Sequence, residues 1–128
     1  MARIAFVQHS LYEGIGTMSI SSVLKERGHF VDVFCYTEDI DFYKQIADFK
    51  PDVVACGIYM GEQGELLKIL AEVKKSNKDI TTLIGGPFTM VFPEIINEKC
   101  VDLMCVGDGE FACLEILNRV DARQDFFN

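Results

Sequence analysis

Five short apolar runs, each followed by a stretch of helical periodicity, constrain this chain more than any other feature. The runs are Arg3 to Gln8, Phe30 to Tyr36, Asp52 to Ile58, Ile80 to Ile84 and Asp102 to Val106, each rich in Val, Ile, Phe or Leu. Near-continuous apolarity, rather than alternation, marks strands covered on both faces, as in parallel sheets. Between them, Thr17 to Arg27 sets Ile20, Val23 and Leu24 on one stripe and ends at Gly28, where a left-handed cap belongs. Asp41 to Phe49 carries Phe42, Ile46 and Phe49 at helical spacing before Pro51, and Glu62 to Ser76 aligns Leu66, Ile69, Leu70 and Val73. Pro93 opens a short helix through Asn97, and Gly109 to Val120 aligns Phe111, Leu114 and Leu117.

Strict strand–helix alternation implies right-handed crossovers and a parallel sheet. The expected fold is α/β: a flavodoxin-like (Rossmann-like) three-layer α/β/α sandwich with five parallel strands in the order 2-1-3-4-5. A length of 128 residues supports one domain with its own core. That domain is expected over 1–120, with 121–128 as a tail or the start of a linker to a further domain.

The net charge of −8 repels a phosphate backbone, so no nucleic-acid partner is expected. No apolar run approaches the roughly 20 residues that span a bilayer, and no secretory signal pattern opens the chain. A cytoplasmic protein with no membrane partner is expected. The five cysteines, Cys35, Cys56, Cys100, Cys105 and Cys113, include no CxxC pair and read as reduced thiols, three of them inside strands.

In an open sheet of this order, ligands sit beyond the carboxyl ends of the strands, where strand order reverses. The first such segment is His9-Ser10-Leu11-Tyr12-Glu13-Gly14-Ile15-Gly16. Its two glycines free backbone amides for a polar ligand, or simply turn the chain into a helix. Neither a Walker loop nor the G-x-G-x-x-G fingerprint is present. The third strand leads into Gly57-Ile58-Tyr59-Met60, where Tyr59 and Met60 can lie against a ring system or pack under the loop. The fourth leads into Gly85-Gly86-Pro87, a hollow or a tight turn. The fifth leads into Gly107-Asp108-Gly109-Glu110, whose carboxylates accept hydrogen bonds or favour a helix N-terminus. No catalytic constellation surrounds either His9 or His29; His29 reads as a surface turn residue and His9 as a loop residue.

Together these stretches resemble the N-terminal cobalamin-binding domain of radical S-adenosylmethionine enzymes, the group that includes the anaerobic magnesium-protoporphyrin monomethyl ester cyclase and cobalamin-dependent methylases. The likeness is carried by Gly14-Ile-Gly16 with Leu24 to His29 and Val31 to Phe34, by Phe49 to Val54, by Gly85-Gly-Pro-Phe88 with Phe92-Pro-Glu94, and by Val101-Asp102 with Val106 to Glu110. The resemblance implies cobalamin as cofactor and partner. Ser10, Leu11, Tyr12, Glu13, Gly14, Ile15 and Gly16 together with Ile58, Tyr59 and Met60 would lie near the corrin. Gly57, Gly85 and Gly86 would leave room for the nucleotide tail, with Pro87, Gly107, Asp108, Gly109 and Glu110 at the same rim. The Asp-x-His-x-x-Gly motif that binds cobalt through histidine is absent, since Val7 and Tyr12 flank His9 in its place. So is the Cys-xxx-Cys-xx-Cys motif of the radical domain; a [4Fe–4S] cluster and S-adenosylmethionine are therefore expected only in a downstream radical domain, joined in cis. On this reading the segment itself is not catalytic. A receiver domain would need acidic residues where Gln8-His9 and Cys56-Gly57 stand, and a flavodoxin-type carrier a Ser/Thr-rich first loop; a ligand-free interaction module is the remaining alternative.

Overall fold

A computed structural model describes residues 2–8, 15–36, 41–107 and 109–122. Its strands are β1 (Arg3–Gln8), β2 (Phe30–Cys35), β3 (Val53–Gly57), β4 (Thr81–Gly85) and β5 (Leu103–Met104). Its helices are α1 (Ile15–Glu26), α2 (Asp41–Phe49), α3 (Gln63–Ser76), α4 (Pro87–Val91) and α5 (Glu110–Asp121), with a 3-10 turn over Pro93–Asn97. The strands form one parallel sheet ordered β2-β1-β3-β4-β5, the order expected from the alternation.

Each strand of the sheet's centre buries both faces, which explains why the sequence shows runs instead of alternation. Ala5, Val7, Val54, Cys56 and Ile84 turn to one side and pack with Phe42 and Ile46 of α2 and with Leu66, Ile69, Leu70 and Val73 of α3. Ile4, Phe6, Val53, Ala55 and Leu83 turn to the other and pack with Leu24 of α1 and with Cys113 and Leu117 of α5. Two cores thus hold one sheet between two helical layers. Each fully buried Leu or Ile contributes roughly 1.5–3 kcal/mol relative to exposure.

Several local expectations need correction. The fifth strand is two residues long, not five. At its start the Asp102 carboxylate accepts from the Thr82 N–H (2.9 Å) and from Lys74 Nζ (2.8 Å), adding to the backbone bonds from Asp102 N–H to Thr82 O (3.2 Å) and from Cys105 N–H to Ile84 O (2.8 Å). Gly107, at φ 93°, turns the chain away beyond it. A helix not foreseen, α4, begins at Pro87, because a proline at the first helical position loses no hydrogen bond. Phe111 does not join the packing stripe of α5 and stands 81% exposed. Cys113 and Leu117, four residues apart, take the inward face, and Phe111 two residues earlier falls on the opposite side.

His29 is buried rather than at the surface. Its Nδ1 accepts from the Ala2 N–H (3.2 Å), so Nε2 carries the proton toward Asn118 Oδ1 (2.9 Å). This ring ties the start of β1, the α1–β2 turn and α5 together, at the end of the sheet opposite the strands' carboxyl ends.

Candidate functional site

The carboxyl ends of the strands gather the loops that the sequence nominated. Continuing the observed register Phe6–Ala55 by two residues sets Gln8 of β1 beside Gly57 of β3, and Gly57 pairs with Gly85 of β4. By strand alternation all three belong to the face that packs on α1 and α5. One row below, the same strands carry Phe6, Ala55 and Leu83, which fill the core. The top row therefore keeps only the Gln8 side chain where the core ends.

The three strand-end glycines differ in what they leave open. A Cβ on Gly57 would meet nothing within 4 Å among the described residues. A Cβ on Gly85 would rest against the Cys105 carbonyl oxygen at 3.4 Å, an ordinary contact. A Cβ on Gly86 would stand 2.7 Å from Ile58 N and 2.8 Å from Ile58 O. Backbone, not a hollow, occupies the space at Gly86. That close approach joins two loops: Ile58 N–H donates to Gly85 O (2.8 Å) and Phe88 N–H donates to Ile58 O (3.0 Å).

The remaining nominated residues divide by position. Ile58 is fully buried and its side chain belongs to the α2–α3 core. Tyr59 (52% exposed) and Met60 (63%) stand free at the rim. Pro87 is the first residue of α4, with Gly86 as its cap, and Gly107, with φ 93°, is open on its Cβ side among the described residues. Gly109 lies against α1, where a Cβ would meet Ile20 Cδ1 at 2.9 Å. Ile15 and Gly16 begin α1 and Glu110 begins α5, with their side chains outside the described residues. Ser10, Leu11, Tyr12, Glu13, Gly14 and Asp108 lie outside the described residues altogether, as does His9.

Sequence reasoning overlooked two features of this rim. Met18, Val106 and Phe111, like Tyr59 and Met60, are exposed apolar residues on elements that begin or loop at the carboxyl end of the sheet. Gln8 is the other: its Oε1 is sealed from solvent and has no hydrogen-bond partner among the described residues. A lone amide closing an otherwise apolar strand was the available signal.

The rim's chemistry is that of a cradle. Among the described residues no group of three or more His, Cys, Asp or Glu gathers at one place. None of the five cysteines forms a disulfide, and burial pushes the Cys56 thiol from its ordinary 9.0 up to about 12. That thiol stays protonated and inert. It also predicts a pH dependence. Below pH about 9 the thiol is protonated in both folded and unfolded chains, and its contribution to stability is fully present. Between about 9 and 12 the unfolded chain releases the proton first, so stability falls by about 1.4 kcal/mol per pH unit. Urea midpoints at pH 8 and pH 10.5 should fall more steeply for the wild type than for Cys56→Ala.

Comparison with known proteins follows the same lines. Over 85 residues the chain is 34% identical to the anaerobic magnesium-protoporphyrin IX monomethyl ester cyclase of Rubrivivax gelatinosus, covering 61% of this chain and 14% of that protein. Over 109 residues it is 23% identical to an uncharacterized methyltransferase of Pyrococcus horikoshii, covering 81% of this chain and 24% of that protein. The chain thus spans a quarter or less of these curated relatives. Two solved structures share its fold. An orphan response regulator of H. pylori superposes with a TM-score of 0.59 at 16% identity, covering 97% of each chain. The Vibrio cholerae chemotaxis protein CheY4 does so with 0.58 at 19%, covering 94% of this chain and 98% of that one. The family model for the B12 binding domain matches residues 4–117, across all five strands and most of α5, and the chain belongs to that family.

Proposed function

We propose that this chain is the cobalamin cradle of a longer radical S-adenosylmethionine enzyme. The observation that carries the reading is the row at the top of β1, β3 and β4. There two of the three positions are glycine, Gly57 is open on its Cβ side among the described residues, and the Gln8 amide oxygen is buried with no donor among them. Those features fit a large ligand that enters beside the sheet and brings its own hydrogen-bond donors. The family match and the cyclase relative support the corrinoid as that ligand.

Gly57 and Gly85 would border the nucleotide arm. Tyr59, Met60, Val106 and Phe111 would cover the corrin's apolar edge and shut out water, and Gly107 would let the rim approach it closely. Pro87 and Gly86 hold the rim's shape instead of touching the ligand. The segment 10–14, with Ile15, Gly16, Asp108, Gly109 and Glu110, completes the rim in this reading. When bound, cobalamin supplies radical or group-transfer chemistry at cobalt. A radical domain carrying the [4Fe–4S] cluster and S-adenosylmethionine, downstream in cis, would work against it. The relatives named as a cyclase and a methyltransferase, both far longer than this segment, support that partner. Among the described residues no helix is long and apolar enough to cross a membrane, and we place the assembly in the cytoplasm.

The test is direct. Mixed with hydroxocobalamin and passed over a gel-filtration column, the folded protein should retain corrin at about one per chain, seen in the visible spectrum. Loss of all corrin from a folded sample would favour a ligand-free interaction module instead.

A further inference from the structure

Gln8 ends β1 at the place where strand order reverses between β1 and β3. Its backbone is engaged, since its carbonyl accepts the Tyr36 N–H at 2.7 Å. Its side-chain oxygen is buried and makes no hydrogen bond among the described residues. Leaving a buried acceptor unmatched costs on the order of 1–3 kcal/mol, and native proteins keep few such groups. Within the fold alone, a methionine or leucine would serve better at this position. The β1–β3 register, observed as far as Phe6–Ala55 and continued by two residues, sets Gln8 beside Gly57, whose Cβ side is open among the described residues.

We propose that Gln8 is a ligand-reading residue: by turning about its side-chain bonds out of the sealed position it holds without ligand, its Oε1 accepts a hydrogen bond from a hydroxyl or amide N–H of a corrinoid seated over Gly57. The inference rests on the cobalamin reading above and adds to it a residue and a polarity. An amide oxygen offers only lone pairs, so its partner must donate. The phosphate and the ring nitrogen of the nucleotide arm are acceptors and do not qualify. The ribose hydroxyl of that arm and the carboxamides on the corrin periphery do. Both would meet Oε1 as neutral donors in a site shielded from water, where a hydrogen bond is worth more than in solvent.

Gln8→Met tests this, because methionine has similar length and no strong acceptor. In the protein without ligand, its melting temperature should match or exceed that of the wild type, since an unmatched polar atom has been removed. Its dissociation constant for hydroxocobalamin should rise about 10-fold, equivalent to about 1.4 kcal/mol. The same titration with cobinamide, which lacks the nucleotide arm, separates the two donors. A penalty on cobalamin alone assigns the ribose hydroxyl, and an equal penalty on both assigns a corrin carboxamide. Wild-type affinity in Gln8→Met for both corrinoids would overturn the proposal. So would a drop of several degrees in the ligand-free melting temperature, which would mean that the amide already has a partner inside the fold. A wild-type protein that binds neither corrinoid would instead remove the cobalamin reading itself, and this inference with it.

Discussion

Gly86→Ala should lower the stability of the domain by about 3 kcal/mol or more, a large part of the 5–15 kcal/mol that a domain of this size typically has. Two costs combine. Gly86 adopts φ 92° and ψ 176°, a region of backbone space that is essentially glycine's alone. The new Cβ would also stand 2.7 Å and 2.8 Å from the backbone N and O of Ile58. Neither atom is the end of a flexible side chain, so relief requires the β3–α3 and β4–α4 loops to part. Parting them stretches the Ile58 N–H to Gly85 O and Phe88 N–H to Ile58 O hydrogen bonds and opens the core around Phe88. Equilibrium urea unfolding, read by far-UV circular dichroism, measures the effect. A midpoint within a few tenths molar of the wild type would show that the loops are not held by this contact. Because the same loops border the rim, any folded fraction of the variant should also bind corrin less tightly.

The fold was legible because its signal is redundant. Apolar runs too long to alternate, amphipathic segments between them, and Gly28, Pro51 and Pro93 as stops and starts all agree on alternating units, and alternation admits few topologies. The edge was less legible. Asp102 to Val106 reads as a strand, yet the Asp102 side chain adds its own hydrogen bonds to a short ladder and Gly107 turns the chain away, and those bonds depend on Thr82 and Lys74 from distant parts of the chain. His29 illustrates the same limit. Nothing in Gly28-His29-Phe30 says that Ala2 and Asn118 will close around the ring. At the site, sequence identifies glycines but not their purposes. Gly57 leaves space, whereas Gly86 admits a neighbouring backbone, and only the distances to Ile58 tell them apart. Gln8 was hidden for the opposite reason: a polar residue at the end of a strand looks solvated until its oxygen proves to be buried.

Gly57→Phe should abolish corrin binding while leaving the fold intact. The substitution adds a side chain where a Cβ meets nothing within 4 Å among the described residues, on a strand-end position that is itself exposed. The backbone conformation also tolerates it, because Gly57 is not among the residues of positive φ and an aromatic suits a strand end. Stability should therefore stay within about 0.5 kcal/mol of the wild type, as for other substitutions that disturb no packed or hydrogen-bonded group. Binding is another matter. The ring would stand in the space beside Gln8 and Gly85 that the nucleotide arm is proposed to enter, and a sterically filled slot offers the ligand no compensating contact. The dissociation constant for hydroxocobalamin should rise by 100-fold or more, equivalent to about 2.7 kcal/mol. Cobinamide, without the arm, should lose far less. The contrast between Gly57→Phe and Gly86→Ala separates two uses of glycine on adjacent strands: one variant keeps its stability and loses its ligand, and the other loses its stability first. If Gly57→Phe folds and still binds hydroxocobalamin with wild-type affinity, the open side of Gly57 is not where the ligand enters, and the cradle must be sought elsewhere on the rim.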